Sequence, residues 1–335
     1  MNMKEKKEIL KIEHLAISFT QYDRGLRQIT LPVISDLNVS VNAGEIVAII
    51  GSSGSGKSLL AHSVLGLLPP NATVQGRIVF NGQELDEDGI KRLRGNAISL
   101  VPQGVSYLDP LMKSGAQVRW NKKDQNSKKR QRKLFDHYGL DHRTDDLFPF
   151  ELSGGMARRV LLCSAMMEEP KLIIADEPTP GLHLEMAKKV MEDFRQLADE
   201  GHGVLLITHD VELALEVADR IVVFYAGMTV EEALASDFLR EELLRHPYTK
   251  AMWRALPQNG FQTLKGSQPY VKEKPEGCPF GPRCACFTKE CMGEIPISYI
   301  RGGMVRCIHV SREETGEGLS EIKKGSSVQK EENGR

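Results

Sequence analysis

The stretch Gly51-Ser-Ser-Gly-Ser-Gly-Lys57-Ser58 constrains the fold more than any other part of the sequence. It fits the spacing G-x-x-x-x-G-K-[S/T]. Glycines at these places let backbone N–H groups wrap a polyphosphate, the lysine reaches the β- and γ-phosphates, and the serine hydroxyl can ligate Mg2+. The flanks agree with this reading. Glu45–Ile50 is an apolar run typical of a buried strand, and Ser58–Leu68 has helical spacing up to Pro69-Pro70. The loop is therefore expected to open a helix whose N-terminal dipole adds to anion binding. Gly51, Ser52, Ser53, Gly54, Ser55, Gly56, Lys57 and Ser58 are candidate phosphate-binding residues, with Ser58 also a metal ligand. The loop alone says only that the ligand is a nucleoside triphosphate, because GTPases, small-molecule kinases and many ATPases share it.

The remaining motifs point to hydrolysis. Leu172–Ala175 is an apolar strand that ends in two acids, Asp176 and Glu177. An acid at the strand tip can hold the Mg2+ shell and the next can polarise an attacking water. Val204–Thr208 is a second short buried strand, and His209 follows it, where an imidazole can meet a γ-phosphate. Ser153, Gly154 and Gly155 stand at the start of the helix-like run Ala157–Glu168 and offer a second anion site of a hydroxyl and close backbone N–H groups. Short apolar strands alternating with helical segments imply a parallel sheet with crossover helices. Upstream, Leu10–Phe19 and Val33–Val41 alternate as half-buried strands do, and Gly76–Phe80 followed by Asn81-Gly82 is a hairpin signal.

Phosphate loop, Val101-Pro-Gln103, Leu152-Ser-Gly-Gly-Met156, Asp176-Glu177-Pro-Thr and Thr208-His209 stand in the order found in ABC-transporter ATPases. The chain resembles that family over residues 9–255. The resemblance implies an α/β phosphate-loop cassette with a mostly parallel sheet core, an antiparallel β subdomain and a helical subdomain at about 104–165. It implies ATP and Mg2+ as ligands, with two such subunits closing head to tail on two ATP molecules. Phe19 then matches the aromatic residue that stacks on adenine, and Gln103 the residue that touches Mg2+ or the lytic water. Asp176 matches the Mg2+ acid, Glu177 the catalytic base, His209 the switch histidine, and Ser153-Gly154-Gly155 the signature that faces the other subunit's phosphate loop. Two places depart from the pattern. His183 stands where an aspartate usually does, which puts the symmetry of the two sites in question, and Ala157-Arg158-Arg159 replaces the usual Arg-Gln-Arg.

Further on, His246-Pro-Tyr-Thr-Lys-Ala-Met and Cys278-Pro-Phe-Gly-Pro-Arg-Cys284 resemble the C-terminal region of dipeptide and oligopeptide importer ATPases, a branch shared with nickel importers. Residues 256–277 read as a polar linker, 278–310 as a small Cys-rich extension and 311–335 as a disordered tail. Cys278, Cys284, Cys291 and Cys307 are spaced C-x5-C-x6-C-x15-C, which suits a [4Fe–4S] cluster or structural Zn2+. The resemblance favours the cluster. Cys286 and His309 are further possible ligands, and Cys163 reads as core.

Lys+Arg is 44 and Asp+Glu is 45, a balance that gives no electrostatic case for nucleic acid. No secretory signal is evident at the N-terminus, and the apolar runs are too short to span a bilayer, so membrane association is expected to come through partners. The resemblance implies those partners: a non-identical sibling ATPase, two permease subunits and an extracellular substrate-binding protein, with this chain at the cytoplasmic face. The expected function is thus to power import of di- or oligopeptides. Import of nickel or a metal chelate, and a soluble ABC ATPase acting on nucleic acid, are the alternatives.

Overall fold

Every residue of Glu45–Gly51 is buried, and alternate side chains enter two different apolar cores. Ile46, Ala48 and Ile50 join one cluster, Val47 and Ile49 the other. A strand covered on both faces has no polar side to show, which is why it reads as a continuous apolar run. The computed structural model describes residues 7–310 except Arg24, Ser53, Asn121, Val271, Lys272 and Lys274. The expected disordered tail lies outside the described residues, as does Ser53.

In chain order the strands are β1 (Glu8–Tyr22), β2 (Gln28–Asn42), β3 (Glu45–Gly51), β4 (Ala72–Phe80), β5 (Gln83–Glu84), β6 (Ile98–Val101), β7 (Leu172–Asp176), β8 (Gly203–Thr208), β9 (Arg220–Tyr225), β10 (Met228–Leu234), β11 (Ile297–Ile300) and β12 (Gly303–Arg306). The α-helices are α1 (Lys57–Val64), α2 (Glu87–Leu93), α3 (Ser114–Val118), α4 (Gln125–His137), α5 (Gly154–Ala165), α6 (Leu184–Asp199), α7 (Val211–Val217) and α8 (Pro247–Arg254). The strands follow the order β5-β4-β1-β2-β10-β9-β3-β8-β7-β6, and the β11–β12 pair attaches to β10. The run β9-β3-β8-β7-β6 is parallel, whereas β1, β2, β4 and β5 pair antiparallel. The parallel run brings the C-terminal ends of β3, β7 and β8 together, where an open α/β sheet binds its ligands.

The hairpin signal at Asn81-Gly82 joins β4 to β5 with both residues at positive φ (+50° and +81°), as an Asn-Gly two-residue turn requires. Helix α1 is shorter than its pattern suggested. It ends at Val64, because Gly66 takes φ +61° and breaks the helix before Leu67-Leu68 and the prolines. Among the described residues, three of the seven basic side chains in the stretch 121–133 form ion pairs within the fold. Lys122 meets Glu168 at 2.6 Å, Arg132 meets Asp145 at 3.2 Å, and Arg130 pairs with Glu169. Cys163 of α5 is buried in the core, as expected. No helix among the described residues is long and apolar enough to cross a membrane.

A buried ion pair ties the end of the chain to the sheet. Arg245, 1% exposed, meets Glu231 of β10 at 3.3 Å and Asp237 at 3.1 Å, and its Nε donates to the Ile300 carbonyl at 2.9 Å. Burial pushes the Glu231 carboxyl above its ordinary range, and backbone N–H groups of Arg245 and His246, each at 2.8 Å, work against that. Removing one member would leave the other charge buried alone, at a cost of about 3–5 kcal/mol.

Candidate nucleotide site

The phosphate loop leaves the end of β3 and must be backbone-thin there. A Cβ on Gly51 would lie 2.1 Å from the Phe224 carbonyl oxygen of β9. Gly56 caps α1 at φ +100° with no side chain of its own, so the first N–H groups of the helix have no side-chain cap and can meet an anion. Lys57 lies folded back over the loop, its Nζ donating to the carbonyls of Gly51 and Ser52 at 2.9 Å each. Burial holds its pKa below the usual lysine range, while Glu177 and Asp176 oppose that. A cation placed there is ready to exchange carbonyl oxygens for phosphate oxygens.

The acids of β7 complete this edge. Asp176 is 2% exposed and accepts from the Ser58 hydroxyl at 3.1 Å. Burial raises its pKa, and the Ser58 hydrogen bond lowers it. A hydroxyl and a carboxylate side by side are hard oxygen donors of the kind Mg2+ takes. Glu177 adopts φ +47°, a left-handed conformation costly for a residue with a Cβ. Its N–H donates to the Ile207 carbonyl at 2.8 Å, and its carboxylate is bracketed by Gln103 Nε2 at 2.8 Å and His209 Nδ1 at 3.2 Å. Three loops thus place Gln103, Glu177 and His209 on one carboxylate. Among the described residues the recorded side-chain bond of Gln103 runs to Glu177, not to the Ser58–Asp176 pair.

Two other expected groups stand apart from this cluster. Phe19 is half-buried on β1, opposite Leu31 of β2 and Ala72 of β4. Ser153 is exposed, and its hydroxyl accepts from the Met156 N–H at 3.3 Å to cap α5. Gly154 has open space where a Cβ would be, and Gly155 faces only the Gly181 carbonyl, at 3.8 Å. The two departures from the family pattern have local explanations. His183 caps α6 by accepting from the Met186 N–H at 3.3 Å, a task aspartate also performs. Arg158 is buried and donates to the Pro102 carbonyl at 2.8 Å, which braces the segment that carries Gln103. Nothing in a simple reading of the signature marked Arg158 as a support.

Cys278, Cys284, Cys291 and Cys307 line one narrow cavity together with Phe280, His246 and His309. Burial pushes the Cys307 thiol up to about 11. Among the described residues, however, no group of three or more His, Cys, Asp or Glu side chains is arranged to hold a metal ion. The expected Zn2+ or cluster therefore finds no set of ligands placed to hold it among the described residues.

A family pattern described as "ABC transporter" matches residues 34–180, and one described as "Oligopeptide/dipeptide transporter, C-terminal region" matches 230–291. The oligopeptide transport ATP-binding protein OppD of Escherichia coli is 31% identical over 316 residues, covering 89% of this chain and 92% of that protein. The chain belongs to the ATP-binding subunits of the dipeptide/oligopeptide/nickel importer family of ABC transporters. As a member of that family it is also similar to the oligopeptide transport ATP-binding protein AppD of Bacillus subtilis, at 32% identity over 83% of this chain and 90% of that one. Among solved structures, the dimeric bacterial ABC cassette MJ0796 superposes with a TM-score of 0.59 at 26% identity, over 68% of this chain and 99% of that one. The same cassette in a post-hydrolysis state bound to ADP and Pi matches equally well. This importer ATPase therefore has the ABC cassette fold and is an ATP hydrolase that works with membrane permeases.

Proposed function

We propose that the chain binds and hydrolyses ATP to power a membrane importer of di- and oligopeptides. The observation that carries this reading is the bracketed Glu177, at the edge of the phosphate loop, in a chain whose C-terminal part matches the oligopeptide/dipeptide transporter region. Gly51–Ser58 cradle the phosphates, Lys57 supplies the cation and Phe19 stacks on the adenine. Ser58 and Asp176, with Gln103 at the rim, hold the Mg2+, which when bound neutralises phosphate charge. Glu177 takes a proton from the attacking water, while Gln103 and His209 fix the direction of its carboxylate. Ser153 and Gly154 are exposed at a helix start, and with the half-buried Gly155 they suit a role across a dimer, on the ATP held by a sibling subunit. We assign the sibling as non-identical, two permeases as the membrane partners, an extracellular binding protein as the substrate donor, and the cytoplasmic face as the location.

The balance of 44 Lys+Arg against 45 Asp+Glu gives no electrostatic case for a nucleic-acid surface, and no observation favours nickel over peptide. The experiment is uptake of a labelled oligopeptide by membranes in which this chain carries Glu177→Gln; uptake is expected to be lost.

Residues 278–310 we read as a small module stabilised by a [4Fe–4S] cluster on Cys278, Cys284, Cys291 and Cys307. The four thiols line one cavity, and the resemblance of this region to peptide-importer ATPases favours a cluster over Zn2+. Its role would be structural, since a short segment builds little core by itself. Protein purified without oxygen is expected to contain iron and sulfide and to lose them on Cys284→Ser. Protein with neither iron, sulfide nor zinc contradicts the assignment.

A further inference from the structure

The polar stretch after α8 does more than connect. Its Gln268 side-chain oxygen accepts a hydrogen bond from the Ser52 hydroxyl, the second residue of the phosphate loop. Gln268 and Pro269 line a small cavity together with Gly54, Ser55, Val33 and Gly227. The Ser55 hydroxyl is buried there without a hydrogen-bond partner among the described residues. The stretch is itself held from behind. Arg283 Nε donates to the Lys265 carbonyl at 2.9 Å and Nη2 to that of Leu264 at 3.4 Å, while Nη1 reaches the Tyr225 hydroxyl at 3.1 Å. Buried Tyr248 of α8, with its ring 4.4 Å from that of Tyr225 and 5.4 Å from that of Phe280, interacts with both the hydroxyl and the backbone of Ser52. The loop is thus touched from outside the cassette motifs by two side chains, both backed by the segment that precedes Cys284.

We propose that Gln268 is a positioning residue for ATP: by holding the Ser52 hydroxyl it keeps the phosphate loop in its binding shape. The inference rests on reading Gly51–Ser58 as the phosphate loop. A loop with three glycines and three serines ahead of Lys57 loses conformational freedom when it wraps a polyphosphate. Contacts that order it beforehand reduce that loss at the moment of binding. The effect falls on nucleotide affinity rather than on the chemical step, because Gln268 touches neither Glu177 nor the Ser58–Asp176 pair in the recorded hydrogen bonds.

The test is ATP-Mg2+ binding and steady-state hydrolysis by the full chain assembled with its transporter, in four forms: wild type, Gln268→Ala, Ser52→Ala and the double variant. Gln268→Ala is expected to raise KM and Kd for ATP about 3- to 10-fold, the worth of one hydrogen bond, with kcat within about twofold. The double variant is expected to lose no more than the worse single one, since both remove one contact. A merely structural role for Gln268 would not give that non-additivity. Wild-type affinity in Gln268→Ala, or losses that multiply in the double variant, would overturn the proposal. Lys57→Ala is the control: if it binds ATP as the wild type does, the phosphate-loop reading fails instead.

Discussion

Glu177→Gln is expected to lower ATP turnover by about 10²- to 10⁴-fold, the usual worth of a positioned general base, while ATP remains bound. The amide has the shape of the carboxylate and can still meet Gln103 and His209, but it cannot take a proton from water. The left-handed backbone at Glu177 and its tie to Ile207 do not depend on the side-chain charge, so the site should keep its form. Single-turnover hydrolysis with ATP bound in the assembled transporter measures this. Binding lost together with turnover would mean that Glu177 supports the nucleotide rather than the reaction.

Lys57→Ala is expected to weaken ATP binding about 10- to 100-fold, the loss of charge-assisted hydrogen bonds to the phosphates, and to abolish hydrolysis at ordinary ATP levels. In the ligand-free chain the Lys57 ammonium is satisfied by two loop carbonyls. Alanine leaves those carbonyls without their donor, and it removes a cation that interacts with both Asp176 and Glu177. Two nearby acids then repel a polyphosphate with less to offset them. Equilibrium nucleotide binding reads the first loss, and a melting curve shows whether the fold has been kept.

Much of this site was legible because its pieces are short, dense and ordered along the chain. Gly51–Ser58, Ser153–Gly155, Asp176-Glu177 and His209 each sit at a strand or helix end that the apolar pattern marks. The parallel strands were legible for the same reason: β3, β7 and β8 are covered on both faces and so read as unbroken apolar runs. What escaped had no local signal. The end of α1 depended on one left-handed glycine, Gly66, ahead of the prolines that looked decisive. Arg158 seemed only a departure from a pattern, yet its guanidinium sits under Pro102. His183 also read as a loss, though an imidazole nitrogen caps α6 as a carboxylate would. Gln268 lies in a stretch whose composition says linker, and its contact with Ser52 spans a separation in sequence that no periodicity can report. The cysteine spacing drew attention to four thiols but could not say how their side chains are placed relative to one another.

ATP-driven uptake of a labelled oligopeptide, in vesicles holding this chain with its permeases, tests the central claim most directly. The expected result is uptake that needs ATP, stops with Glu177→Gln in this chain, and is accompanied by peptide-stimulated hydrolysis. Uptake indifferent to that substitution, or hydrolysis raised by nucleic acid and not by peptide-loaded permeases, would contradict it.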